Sequence, residues 1–83
     1  MGGKLNNKYN VISDNLKAFR IEKSLSQQLL CEKLELLGIT LYKADIYAIE
    51  HNKRTVKDFE LLAFSKVLDI PISDFFNNVS DFD

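Results

Sequence analysis

The chain reads as an all-α domain of five short helices, and three observations predict it. Apolar residues recur at spacings of three and four in successive blocks rather than in alternation. The one proline, Pro71, and the three glycines leave the middle of the chain almost free of breakers. No run of Val, Ile and Thr bounded by turn residues signals a strand. Helices joined by short connections pack as one layer around a single core.

The first helix is expected over Val11–Glu22, where Ile12, Leu16 and Phe19 form an i, i+4, i+7 stripe. Asn10 and Ser13 are the candidates to cap its start. Ser24-Leu25-Ser26 interrupts the pattern, and Ser26 is placed to open a second helix. That helix carries Leu30, Cys31, Leu34 and Leu37 on one stripe and stops at Gly38. A third helix follows from Tyr42 or Lys43 to His51, with Ile46 and Ile49 on one side. The other side shows Tyr42, Lys43, Ala44, Tyr47 and Ala48.

Asn52-Lys53-Arg54 is a polar loop. Thr55-x-x-Asp58 and Lys57-x-x-Glu60 then place acids in the first turn of a fourth helix, where the helix dipole favours them. Leu61, Phe64, Ser65 and Leu68 give that helix its stripe. Pro71 pre-organises a short fifth helix through Ser73-Asp74-Phe75-Phe76. The expected organisation is an N-terminal arm over residues 1–10, a domain over 11–77 and a polar tail over 78–83.

Length and composition narrow the function classes. Eighty-three residues suffice for one small domain. At 46% hydrophobic and 28% charged, the chain is an ordinary globular composition. Cys31 is the only cysteine, which rules out an internal disulfide and suits a reducing compartment. No apolar run approaches the ~18 residues of a membrane span, and MGGKLNNKYN lacks the apolar segment of a signal peptide. The expectation is a cytoplasmic protein.

No Gly-rich phosphate loop, nucleophile motif or metal-ligand cluster is present, and His51 has no second ligand at metal spacing. We therefore expect no enzyme, no metal and no cofactor. Net charge is −1 with a pI near 5.8, unlike a generic nucleic-acid binder. The charge is uneven, however: Lys43, Lys53, Arg54 and Lys57 cluster, and a local positive patch still meets phosphate.

Several motifs in order carry a resemblance. Phe19-Arg20 closes the first helix, Leu25-Ser26-Gln27 opens the second, and Leu30-Cys31-x-x-Leu34 follows. Then come Ile46-x-x-Ile49-Glu50-x-Asn52-Lys53, Glu60-Leu61-Leu62-Ala63 and Leu68-Asp69-Ile70. The set resembles the Cro/phage-repressor, or Xre-type, helix-turn-helix domain, a lambda-repressor-like fold, from about Ile12 to Phe76. Leu34 and Ile46 stand twelve positions apart, more than in the family's shortest form, so the insertion Glu35-Leu36-Leu37-Gly38-Ile39 is expected to lengthen the second helix by a turn.

The resemblance implies double-stranded DNA as the partner. It places the third helix in the major groove, with Lys43, Ala44, Asp45, Tyr47 and Ala48 at base edges. It implies phosphate contacts from Gln27, Tyr42, Asn52, Lys53 and Arg54. It pairs Arg20 with Glu50 across the first and third helices as a structural element. Phe75, Phe76, Val79 and Phe82 are more apolar surface than a short terminal helix buries, and they are expected at a homodimer interface.

Together these readings predict a sequence-specific transcriptional regulator, a repressor on an inverted repeat. The alternative is a protein-interaction module on the same fold, of antitoxin or anti-repressor type, with a regulatory protein partner and little sequence-specific DNA binding.

Overall fold

The computed structural model describes residues 7–79, and these form four α-helices and one 3-10 helix. The α-helices are α1 (Ser13–Glu22), α2 (Gln27–Glu35), α3 (Lys43–Glu50) and α4 (Asp58–Leu68). The first six positions of the expected arm and the last four of the expected tail lie outside the described residues, as does Phe82.

Five α-helices were expected, and the fifth is instead a 3-10 helix over Ile72–Phe76. Its bonds close over three residues, from Asp74 N–H to the Pro71 carbonyl at 2.9 Å and from Asn77 N–H to the Asp74 carbonyl at 3.2 Å. Five residues hold little more than one turn, and so short a segment takes the tighter helix.

The core is where the periodicity put it. Leu16, Leu30, Leu34, Ile46, Ile49 and Phe64 are fully buried, each contributing roughly 1.5–3 kcal/mol of apolar transfer energy. Cys31 lies among them. Burial, and then the negative charge of Asp45, push its thiol above the ordinary value, so it is an inert packing residue.

All four α-helices end alike. In each, one residue adopts positive φ, the next N–H reaches back five residues, and the last carbonyls are satisfied. The positive-φ residues are Ser24, Gly38, Asn52 and Asp69. The long bonds run from Leu25 to Arg20, Ile39 to Leu34, Lys53 to Ala48 and Ile70 to Ser65.

This closure also corrects the expected extension of α2. The regular helix stops at Glu35, and Leu36–Gly38 is a turn closed by Gly38 at φ +81°. Leu37 leaves the buried stripe and is about half exposed, because the chain turns away before completing another helical repeat. The insertion therefore lengthens the connection between α2 and α3, not the helix.

Candidate nucleic-acid interface

Three contacts set the position of α3. Its inner residues Ile46 and Ile49 are fully buried against the other helices. Arg20 on α1 grips Glu50 at the far end of α3, with Nε to Oε2 at 2.6 Å and Nη2 to Oε1 at 3.0 Å. The two-point geometry leaves little freedom in the angle between α1 and α3. Arg20 Nη1 also donates to the Leu25 carbonyl at 2.7 Å.

The third contact involves Asn52, directly after α3. Its Oδ1 accepts from Tyr9 N–H at 2.7 Å and Asn10 N–H at 3.2 Å. Its Nδ2 donates to the Asn10 carbonyl at 3.0 Å and to Ser13 Oγ at 3.4 Å. Asn10 replies with Nδ2 to the carbonyls of Ile49 and Arg54, and its Oδ1 accepts from Ile12 N–H. Residues 9 and 10 are thereby laced to the exit of α3. Asn10, a candidate cap of α1, serves Ile12 two residues on, and Ser13 lies inside the helix start.

The outward face of α3 is different. Lys43, Ala44 and Tyr47 are exposed, and Ala48 is partly so. The Lys43 side chain makes no hydrogen bond or ion pair among the described residues. Tyr47 stacks on His51 with ring centroids 3.8 Å apart, and Lys53 Nζ stands 5.9 Å from its centroid. His51 is held in turn by Nδ1 against the Tyr47 carbonyl at 2.9 Å. Sequence reading left His51 at a helix end without a role. Its spacing of four from Tyr47 on one helix was the available signal.

The other expected contact residues divide sharply. Asp45 is half-buried, and its Oδ2 accepts from Tyr42 N–H at 2.8 Å, so its carboxylate caps α3. Its Oδ1 also lies 3.7 Å from Arg54 Nε. Tyr42 is 70% exposed at the start of the helix. Gln27 stands at the start of α2, whose N-terminus is capped by Ser26 Oγ, and its Nε2 donates to Glu50 Oε1 at 3.2 Å.

Lys53 is exposed. Arg54 turns back to Glu60 through two 2.9 Å bonds, and it donates to the Thr55 carbonyl at 2.7 Å. Burial would push the Glu60 carboxyl up. The hydrogen bonds from Arg54 and from Lys57 N–H, together with the nearby positive charges, outweigh it and hold Glu60 below its ordinary value. The bond to Glu60 raises Arg54 in the same exchange.

The expected dimer residues also separate. Phe75 is corrected to a core residue: it is fully buried and meets Phe19 edge-on at 5.3 Å. Asn15 Nδ2 pins the segment by donating to the carbonyls of Phe75 and Asn77, both at 2.8 Å. Phe76 is 43% exposed and Val79 partly exposed. Among the described residues no group of His, Cys, Asp and Glu is arranged to hold a metal, and no helix is long and apolar enough to cross a membrane.

The arrangement is one short helix locked from behind, displaying a basic and aromatic face, with the N-terminus of a second helix beside it. The fold that carries it is similar to that of solved structures. The chain matches the crystal structure of the restriction-modification controller protein C.AhdI from Aeromonas hydrophila at TM-score 0.69 and 25% identity, covering 78% of this chain and 91% of that one. It matches the crystal structure of SinR, the master regulator for biofilm formation, in complex with DNA at TM-score 0.69 and 28% identity, covering 80% and 98%. Both are Xre-type helix-turn-helix regulators, so the resemblance seen in the sequence extends to the three-dimensional structure. No family model and no curated protein sequence matches the chain.

Proposed function

We propose that this chain is a sequence-specific DNA-binding transcriptional regulator that represses by occupying an inverted repeat as a dimer. One observation carries the reading. Among the described residues the outward side chains Lys43, Ala44 and Tyr47 make no hydrogen bond or ion pair, and Tyr47 stacks on His51, while the inner side of the helix is held through Ile46, Ile49 and Glu50. A reading helix needs both properties, because base contacts discriminate only if the helix cannot re-angle itself.

In this reading α3 enters the major groove. Lys43 donates to guanine, Ala44 and Ala48 meet thymine methyls, and Tyr47 offers its ring and hydroxyl. Phosphates are met by Lys53, the Tyr42 hydroxyl and Gln27 at the start of α2. Asp45, Asn52 and Arg54 act one step back, holding the start of α3 and the loop after it in place. Phe76 and Val79 form the described part of the dimer contact. A twofold axis there sets two copies of α3 ~34 Å apart, one turn of DNA. SinR crystallised with DNA supports the choice of ligand.

The test is selection of bound sequences from random duplex DNA by the wild type and by a Lys43→Ala, Tyr47→Ala double variant. The wild type is expected to enrich an inverted repeat. The variant, altered only at exposed positions, is expected to remain folded and to lose about 1–3 kcal/mol of discrimination for each base contact removed. Affinity for the selected site should fall with salt, at a log–log slope of about −0.9 per phosphate met. Absence of any enriched sequence at moderate salt would sink the proposal.

A further inference from the structure

Away from the outward face of α3, four large apolar side chains are exposed together. Leu36 is 86% exposed, and Leu37, Phe59 and Leu62 are each about half exposed. They are not scattered. A groove of about 250 Å³ runs between Leu37 and Ile39 of the α2–α3 connection and Phe59 and Leu62 of α4. A second, of about 230 Å³, continues across Leu36 and Val67. Leu37 and Lys66 line both, so the two are one strip. Single exposed leucines are ordinary on a soluble domain, but a contiguous strip with a groove in it marks a docking surface.

The charges on the strip say what fits it. Lys33 stands on one wall and Lys66 on the other. Neither has an ion-pair partner among the described residues. No acid is among the residues lining the two grooves, and Asp69 lines the neighbouring surface with Lys66. A second copy meeting this face across a twofold axis would set the lysines of one copy against those of the other, which is unfavourable. A partner bearing carboxylates meets them favourably.

We infer that this face docks an amphipathic α-helix of another protein, apolar along one side and acidic at its flanks, with its carboxylates on Lys33 and Lys66. Anchors at helical spacing suit a groove whose floor is itself a helix, α4, with Phe59 and Leu62 three residues apart. The site does not overlap the outward face of α3. A docked helix therefore leaves that face open, while it touches the connection that leads into α3.

The test uses the full chain, isotope-labelled, and two synthetic helices. Both carry leucines at every third and fourth position; one is flanked by glutamates, the other by lysines. The acidic helix is expected to saturate and to shift the resonances of Leu37, Phe59, Leu62 and Lys66, while those of Lys43 and Tyr47 stay put. The basic helix is expected to bind at least about tenfold more weakly. A Lys33→Glu, Lys66→Glu variant should reverse that preference, which simple apolar adhesion does not do.

Equal binding of the two helices overturns the inference, and so does no binding or a shift centred elsewhere. So does a concentration-dependent shift of the same resonances in the protein alone, because a second copy would then cover the face. None of these outcomes bears on the DNA selection, so the two proposals stand or fall separately.

Discussion

The outward face of α3 and the loop that follows it, residues 51–57, carry similar side chains: a lysine, a tyrosine and small residues on one, and an asparagine, a lysine and an arginine on the other. On the helix those groups are exposed or partly so, and the Lys43 side chain makes no hydrogen bond or ion pair among the described residues. In the loop Asn52 makes four hydrogen bonds to the segment around Tyr9, Asn10 and Ser13. Arg54 there is taken up by Glu60, Thr55 and Asp45. The difference teaches that the loop serves as the mount of the helix. It holds the exit of α3 against α1 and α4, as the Arg20–Glu50 pair holds it from the other side.

The largest effect should come from breaking that mount at its most buried point. Glu50→Ala leaves Arg20 without its carboxylate in a site where both side chains are buried. An uncompensated buried charge costs about 3–5 kcal/mol, comparable to the whole stability of a small domain. Thermal or urea unfolding of the variant should show a domain largely unfolded at room temperature. A loss below about 1 kcal/mol would show that the pair does not hold the helix, and the contrast between mount and face would fail at its base.

Part of this contrast was legible in the sequence. The helical stripes of α1, α3 and α4 and the buried residues on them follow from periodicity. Ser26 is readable as a cap by residue type and position, whereas Asp45, expected at base edges, caps α3 instead. The fate of Asn52 and Arg54 was not readable, because their partners Tyr9, Asn10 and Glu60 become neighbours only after the chain has folded back. Up to 43 positions separate Asn52 from the groups it binds. The same limit hid the burial of Phe75: its cover is Phe19, from the other end of the chain. Leu37 was misplaced for a local reason. An unbroken apolar spacing looks the same whether the helix goes on or closes early over Gly38.

A medium effect separates the two roles at adjacent positions. Asn52→Gly keeps the left-handed backbone, at φ 58° in the wild type, and removes only the side chain. It deprives two backbone N–H groups, one backbone carbonyl and the Ser13 hydroxyl of a partner, and should cost about 1–3 kcal/mol in denaturant titration. Lys53→Ala, one residue on, is exposed and should change stability by no more than about 0.5 kcal/mol. If DNA is the ligand, it should instead reduce the salt slope by ~1. Equal stability losses at the two positions would erase the distinction, within the loop, between a side chain that holds the fold and one left exposed.

The smallest effect has the opposite sign and serves as the control. Ser24 closes α1 as Asn52 closes α3, with φ 59° and the same backward bonds from Ser24 to Ile21 and from Leu25 to Arg20. Its hydroxyl, unlike the Asn52 amide, makes no hydrogen bond among the described residues. A residue with a Cβ is strained in this conformation and glycine is not. Glycine's extra freedom in the unfolded chain offsets part of that relief. Ser24→Gly should therefore raise stability by about 0.5 kcal/mol, a rise in melting temperature of roughly 2–4 °C for a domain of this size. The same substitution at two equivalent helix ends would then move stability in opposite directions. Backbone strain is common to both positions, so the difference in sign isolates the Asn52 side chain. If both variants were stabilised, the hydrogen bonds around Asn52 would be worth less than the strain they accompany, and the exit of α3 would be held by the backbone alone.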